Sequence, residues 1–367
     1  MPIDAGLIAR LPKVDLHCHL IGTVRASTFA ELARREDLAL PDTPERVYAG
    51  CNSLPPDPDL YRNTRIPVPQ GPSADEPAVS YSLFQLAGWV TEALRDAEDL
   101  TRIVYEACSD AHHNSATRHL ELSVDEPRGR LARLGYPTLI DAYAEGIRLA
   151  ERDFGMSGRL IAAIDRSRSG DEALAWVRTV VSHPHEYVAG IGLDNLETVG
   201  PPERFADAYR LAGEAGLKRT AHSSEHVPGA ANTITCLDLL GCDRIDHGYF
   251  VLEDDAVVAR LRAEQTPITV VSTTSRRSWR PWRRASIAAM LDAGLNVIAA
   301  SDDPGMFPTT LAAEYGILAD ELCVPYPRLR QMALAGVDAS WLPPSEKKAL
   351  RARFERELAV LDAEAPI

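Results

Sequence analysis

Two histidines separated by a single residue, His17-Cys18-His19, end a short apolar run, Lys13-Val14-Asp15-Leu16, and three further polar groups follow far downstream: His222-x-x-Glu225, His247-Gly248 and Asp302-Asp303. Residues two apart on an extended strand point the same way, so His17 and His19 can present two imidazoles to one ion from a single strand end. Histidine supplies a neutral nitrogen and aspartate an anionic oxygen. Zinc accepts that mixture in a site that keeps one position for water, which makes His17, His19, His222 and Asp302 a candidate ligand set. These donors do not fix the ion, and another divalent metal fits the same four. Singly, each histidine reads more readily as a hydrogen-bonded core or loop residue. The set gains weight because each member follows an apolar run of strand length.

Groups able to move protons stand beside the donors. Glu225 lies three residues after His222, and a partly desolvated carboxylic acid there is expected to keep a proton for a substrate nitrogen. Alone, it would be read as a solvated loop residue. His247 ends Arg244-Ile245-Asp246-His247-Gly248, where it can orient an attacking water or take its proton; its plain alternative is a core histidine. Adjacent carboxylates at Asp302 and Asp303 repel unless a cation lies near them. One binding a metal and the other bonding water is the economical arrangement.

Positioning these groups requires strands whose ends share one face. Eight candidate strands run from Val14 to His17, His119 to Val124, Leu160 to Ile164, Tyr187 to Leu193, Leu217 to His222, Arg244 to His247, Ile268 to Val271 and Val297 to Ala300. Helical patterns separate them. Thr28-x-x-Glu31 predicts a capping box, Phe205, Tyr209 and Ala212 recur at helical spacing, and Ile287 and Leu291 precede a helix-stopping Gly294. Strands alternating with helices imply an α/β class with a parallel sheet, and eight units imply a single (β/α)8 TIM barrel over residues 1–367. The alternative, an open doubly wound sheet, usually carries a Gly-rich phosphate loop where His17-Cys18-His19-Leu20-Ile21-Gly22 stands. Residues 51–80, rich in proline and polar side chains, form a predicted insertion between the first and second strands, read as a lid or as a plain surface loop. Leu350, Phe354, Leu358 and Leu361 mark an amphipathic C-terminal helix over 345–367.

Charge and cysteine usage exclude several partners. A balance of 39 basic against 53 acidic residues, net −14, disfavours nucleic acid and acidic membranes. The 6 cysteines are scattered without CxxC pairs and read as reduced thiols of a cytoplasmic protein. The N-terminal Met1-Pro2-Ile3-Asp4 lacks a basic segment followed by an apolar stretch, and no apolar run approaches the ~18 residues of a membrane span. The partner expected is a small molecule; the oligomeric state stays open.

The motifs together resemble the adenosine deaminase family of metal-dependent aminohydrolases. Pro12-Lys13-Val14-Asp15-Leu16-His17-Cys18-His19-Leu20-Ile21-Gly22 is similar to its N-terminal metal motif, His222-Ser223-Ser224-Glu225 to its His-Ala-Gly-Glu, Asp246-His247-Gly248 to its His-Gly segment and Ser301-Asp302-Asp303-Pro304 to its paired aspartates. The similarity runs in order along nearly the whole chain. It implies a barrel with one zinc per chain and hydrolytic deamination of a purine-like ring with release of ammonia. By that resemblance Glu225 protonates a ring nitrogen, while His247 and Asp303 position and deprotonate water. The cytidine-deaminase zinc signature, His-x-Glu with a later Pro-Cys-x-x-Cys, is absent.

The resemblance also assigns the substrate wall to Ile21, Gly22, Asn195 and Asp303. Ile21 stands where the family has Asp or Glu, and Asn195 replaces a glycine that meets the purine edge. Gly192-Leu193-Asp194 is closer to the adenine deaminase branch. An aminopurine other than ordinary adenosine is therefore the expected substrate. Ser275-Arg276-Arg277-Ser278-Trp279-Arg280-Pro281-Trp282-Arg283-Arg284 follows the seventh strand, and its arginines either hold an anionic or aromatic substituent or pair with acidic neighbours in a solvated loop. Two other functions remain open: a barrel metallohydrolase acting on another heterocycle or C–N bond, and a catalytically silent binding protein on the same scaffold.

Overall fold

The computed structural model describes residues 3–53 and 58–364. Residues 1–2, residues 54–57 of the predicted insertion and residues 365–367 of the predicted C-terminal helix lie outside the described residues. Eight strands form one sheet: β1 (Lys13–His19), β2 (Thr117–Asp125), β3 (Ser157–Asp165), β4 (Val188–Asp194), β5 (Lys218–Ser223), β6 (Arg244–His247), β7 (Ile268–Val270) and β8 (Val297–Ala299). Each pairs in parallel with the next in chain order. Just past β8, the Asp302 amide donates to His17 O at 2.9 Å and the His19 amide to Asp302 O at 2.8 Å, which brings the last strand back to the first. The result is a (β/α)8 barrel.

β1 shows how the sequence sets the two faces. Its side chains are buried from Lys13 to Cys18, as expected for a parallel strand covered on both sides. Val14 and Leu16 join an apolar layer with Leu329, Ala333 and Val337 of the helix Tyr326–Ala339. The alternate set, Asp15, His17 and His19, faces the barrel interior, where a period of two places both histidines together. At the opposite end of the interior, the fully buried Arg244 donates to Glu121 Oε2 at 2.8 Å, and its guanidinium lies 4.2 Å from the Trp341 ring centre. That paired cluster fills the N-terminal end of the barrel, so open space remains at the C-terminal end.

The helices follow their apolar stripes. Phe205, Tyr209 and Ala212 are buried at and within Ala206–Glu214; Ile287 and Leu291 are buried in Arg280–Asp292, after which Gly294 takes φ +75°. Leu350, Phe354, Leu358 and Leu361 are buried in Pro344–Glu364. The expected capping box at Thr28 does not form. A 3-10 turn, Ile21–Thr23, delivers the chain into the helix Ala26–Arg35 before Thr28 is reached, and the Thr28 hydroxyl donates instead to Glu106 Oε2 at 2.6 Å. Capping boxes form at Ser82 with Gln85 and at Ser169 with Glu172.

Within the predicted insertion, the chain is tied to the loop after β7. The Ser53 amide donates to Ser275 O at 3.1 Å, and Arg277 donates to the carbonyls of Asp75 at 2.6 Å and Ala49 at 3.1 Å. None of the cysteines is in a disulfide, and among the described residues no helix is long and apolar enough to cross a membrane.

Candidate active site

His17, His19, His222 and Asp302 come from the ends of β1 and β5 and from the turn after β8, and one donor atom from each lies within 4.8 Å of all the others. His222 Nε2 is 3.2 Å from both His17 Nε2 and His19 Nε2, while Asp302 Oδ1 is 3.6 Å and 3.3 Å from the same two nitrogens. Nitrogens bound to zinc at 2.0–2.1 Å in a tetrahedral site stand about 3.3 Å apart. The spacing and the donor types therefore fit one such ion. Two imidazole nitrogens at 3.2 Å can share at most one proton, and a cation between them removes that conflict.

Carboxylates stand behind the imidazoles. Asp194, which ends β4, places Oδ2 at 3.2 Å from His19 Nδ1 and Oδ1 at 3.4 Å from His222 Nδ1, turning both Nε2 atoms toward the shared locus. Asp246 accepts from the Thr220 and Thr269 hydroxyls at 2.7 Å each, and Thr269 in turn meets His17 Nδ1 at 3.1 Å. Metal-ligating histidines are oriented by partners of this kind. Burial pushes the His17 pKa down to about 4, against the pull of Asp246 and Asp302, so His17 is a neutral donor. Burial opposes charge on His19 as well, but Asp194, Asp302 and Asp303 outweigh it and hold His19 well above the ordinary histidine range.

The adjacent acids Asp302 and Asp303 separate in the same way. Burial acts on both; His19, His17 and His247 overcome it at Asp302 and keep that carboxylate ionised, whereas at Asp303 burial and the Asp302 charge together push the pKa well up. Asp303 therefore holds a proton next to an ionised neighbour. Gly22 makes this packing possible: a Cβ there would sit 1.9 Å from Asp303 Oδ1 and 2.7 Å from its Cα. Asn195, Ser224, His247 and Asp302 all take positive φ, between +50° and +80°. Among the described residues these are four of the eight non-glycine residues with positive φ.

Glu225 departs from its expected state. Burial raises its pKa, but His226, His247 and Arg283 outweigh burial and hold the carboxyl well below its usual range. His226 Nδ1 is 3.0 Å and His247 Nε2 3.5 Å from Glu225 Oε2, and the Arg283 guanidinium donates to Oε1. Both histidines are themselves pushed toward the neutral form by burial, so the permanent charge bonded to Glu225 here is that of Arg283. Glu225 is a carboxylate in the resting site, not the retained acid that desolvation alone would produce.

His19, His222, Glu225, His247, Arg283, Asp302 and Asp303 border one cavity of about 640 Å³, which also meets Ile21, Gly22 and Asn195. That size suits a small heterocycle. Ile21 brings no polar atom from its side chain. The Asn195 amide is engaged within the protein: Nδ2 donates to Asp165 Oδ1 at 2.9 Å and Oδ1 accepts from the Leu196 amide at 2.6 Å.

Sequence reasoning gave no role to Asp194, Asp246 or Glu197, and read Arg283 only as part of an arginine segment that holds a substrate substituent or pairs with acidic neighbours. The first two were signalled by an acid near the end of an apolar strand. Glu197 carried no such signal. It is buried in the turn after β4, where Oε1 accepts from the Ser224 amide at 2.8 Å and Oε2 from those of Glu225, His226 and Val227 at 2.9, 2.9 and 3.0 Å. One carboxylate thus fixes the backbone on which Glu225 stands. Arg283 lies 58 residues after its partner and arrives only through the barrel.

Imidazoles and a carboxylate converging at the C-terminal mouth of a parallel barrel define a metal-dependent hydrolase of the barrel type. A family model for adenosine deaminase matches residues 75–356, and the chain belongs to that family. Similarity extends beyond the matched span to the first histidine pair: an adenine deaminase of Streptomyces coelicolor is 32% identical, over 97% of this chain and 97% of its own length. Among solved structures, a zinc-bound amidohydrolase from Burkholderia ambifaria superposes with TM-score 0.82 at 30% identity, covering 98% of this chain and 94% of that one. An adenine deaminase from Arthrobacter aurescens does so with TM-score 0.77 at 29% identity, covering 95% and 99%.

Proposed function

We propose that this protein deaminates an adenine-like aminopurine by hydrolysis, releasing ammonia, with one zinc ion held by His17, His19, His222 and Asp302. The observation that carries the reading is the convergence of these four donors within 4.8 Å of one another, beside Glu225 and Asp303, in a chain similar end to end to adenine deaminases. Zinc held there supplies Lewis acidity, which brings the pKa of water from 15.7 to roughly 7.

The chain's own groups divide the remaining work. In hydrolysis of an amidine, oxygen from water bonds to the ring carbon and the exocyclic C–N bond breaks; one proton of water ends on the ring nitrogen and the other leaves with ammonia. Asp303 and His247 hold the attacking water, and His247, which burial keeps neutral, accepts its proton. From His247 Nε2 the Glu225 carboxylate is 3.5 Å away, so an ionised Glu225 can collect that proton and pass it to the ring nitrogen. Arg283 and Glu197 fix Glu225 for the transfer, one through its side chain and the other through its backbone. Ile21 favours a free base over a nucleoside, because a sugar hydroxyl buried against it loses a hydrogen-bond partner.

Ammonia release from the zinc-loaded protein tests the reading. Adenine or a close aminopurine should be turned over with kcat/KM at least about tenfold above that for adenosine, the cost of one unpaired buried hydroxyl. No ammonia from any aminopurine would overturn it.

A further inference from the structure

His226 follows Glu225 directly in the chain and takes no part in the reaction set out above, yet it borders the same cavity. It is only 8% exposed. Its backbone is held on both sides: the amide donates to Glu197 Oε2 at 2.9 Å, and the carbonyl accepts from the Tyr61 hydroxyl at 2.6 Å. The imidazole is therefore carried on a fixed stretch of chain. Its two nitrogens differ in what they meet. Nδ1 lies 3.0 Å from Glu225 Oε2, off the line of a full hydrogen bond. Nε2 has no hydrogen-bond partner among the described residues and is not sealed from solvent, so it is the polar atom of this ring that can serve the cavity.

Surrounding charge decides which nitrogen holds the proton. Burial, helped by the Arg276 and Arg283 cations, keeps the imidazole toward the neutral form against the pull of Glu225. A neutral imidazole carries one proton. A lone pair on Nδ1 would face the lone pairs of an ionised carboxylate 3.0 Å away, so the proton belongs on Nδ1 and Nε2 is an acceptor. Glu225 and His226 thus present two neighbouring acceptors, a carboxylate oxygen and an imidazole nitrogen. In the proposed reaction the ring nitrogen becomes an N–H that meets Glu225. The matching donor for Nε2 is a second N–H, carried by the ring carbon on the far side of that nitrogen from the reacting carbon. In a purine deaminated at C6, the ring nitrogen is N1 and that carbon is C2.

We propose that His226 is a specificity-determining residue whose Nε2 accepts a hydrogen bond from an amino group on C2, which makes a 2,6-diaminopurine ring the preferred substrate class. The inference rests on the aminopurine reading above. Oxygen from water bonds to C6, the C6–N bond breaks and ammonia leaves, while the 2-amino group stays on the product, a 2-amino-6-oxopurine. Adenine carries only hydrogen at C2. It leaves Nε2 without a donor once the ring has displaced water, and an unpaired buried acceptor is costly.

The pair 2,6-diaminopurine and 2-methyladenine tests this, because amino and methyl groups are similar in size and only the first donates. Ammonia release from the zinc-loaded protein gives kcat/KM for each. The amino-to-methyl ratio should be about tenfold or more higher in the wild type than in His226→Leu, and comparing the two proteins cancels the intrinsic reactivity of the two rings. In His226→Gln, whose amide oxygen reaches the place of Nε2, the ratio should be partly kept. Equal ratios in wild type and His226→Leu overturn the assignment. The wild type alone supplies a second reading, independent of whether the variants fold. Calorimetry should show the product 2-amino-6-oxopurine binding about tenfold or more tightly than 2-methyl-6-oxopurine. Equal dissociation constants, or no binding of either, also overturn it. Turnover of both purines at equal ratios would leave the deaminase reading standing without His226. If neither purine releases ammonia, that reading fails, and the dissociation constants still decide the role of His226.

Discussion

On one side of the cavity three imidazoles from β1 and β5 are backed by carboxylates, Asp194 and Asp246; on the other a carboxylate, Glu225, is backed by Arg283 and faced by Arg276. The first arrangement aims the Nε2 atoms of three imidazoles at a point that a cation can occupy. The second keeps an anion ionised in a buried place where desolvation alone would neutralise it. Both rely on charge behind the working group, with opposite sign. The difference teaches that burial at this barrel mouth does not by itself assign protonation: it prevails at His17, whereas charged partners outweigh it at His19 and Glu225.

If that contrast is correct, changes on the two sides should separate chemistry from metal binding. Glu225→Gln should have the largest effect, cutting kcat by about 10² to 10⁴ while metal content, read by elemental analysis, stays at one per chain. Unchanged turnover would remove Glu225 from proton transfer. Asp194→Asn should act on the other side, weakening zinc affinity by roughly 10- to 100-fold in a competition titration with a chelator. Equal affinity would mean that the imidazoles orient themselves without it.

A subtler change concerns Glu225 ionisation. A carboxyl whose pKa is depressed in the folded protein loses its charge only as pH falls through that low value. Removing the Arg283 charge while leaving burial intact raises it. The acid limb of the kcat/KM profile should therefore move to higher pH in Arg283→Met, and an unmoved limb would show that Arg283 does not hold the carboxylate.

The two sides were also unequally legible in the sequence. His17 and His19 announce themselves through a period of two at a strand end, and Asp302 and His222 through apolar runs that stop at a polar group. Because short strand-like runs alternate with helical patterns eight times, the barrel could be read with strand ends within three positions of those observed. The arginine side could not be read this way. Arg283 sits on a helix whose pairing with Glu225 exists only once β5 and β7 are placed in the same barrel, so the sequence suggested a protonated Glu225 where the structure holds it ionised. Glu197 binds amides rather than side chains, and no residue pattern signals that. Thr28 failed as a cap because the preceding turn, invisible in the pattern, starts the helix earlier.

The central claim is that four side chains from three parts of the chain meet at a single divalent ion. Anomalous diffraction at the zinc edge from crystals of the zinc-loaded protein tests it most directly. The account predicts one strong peak about 2.0–2.2 Å from His17 Nε2, His19 Nε2, His222 Nε2 and an oxygen of Asp302. No peak there, or a peak held by other residues, would contradict it.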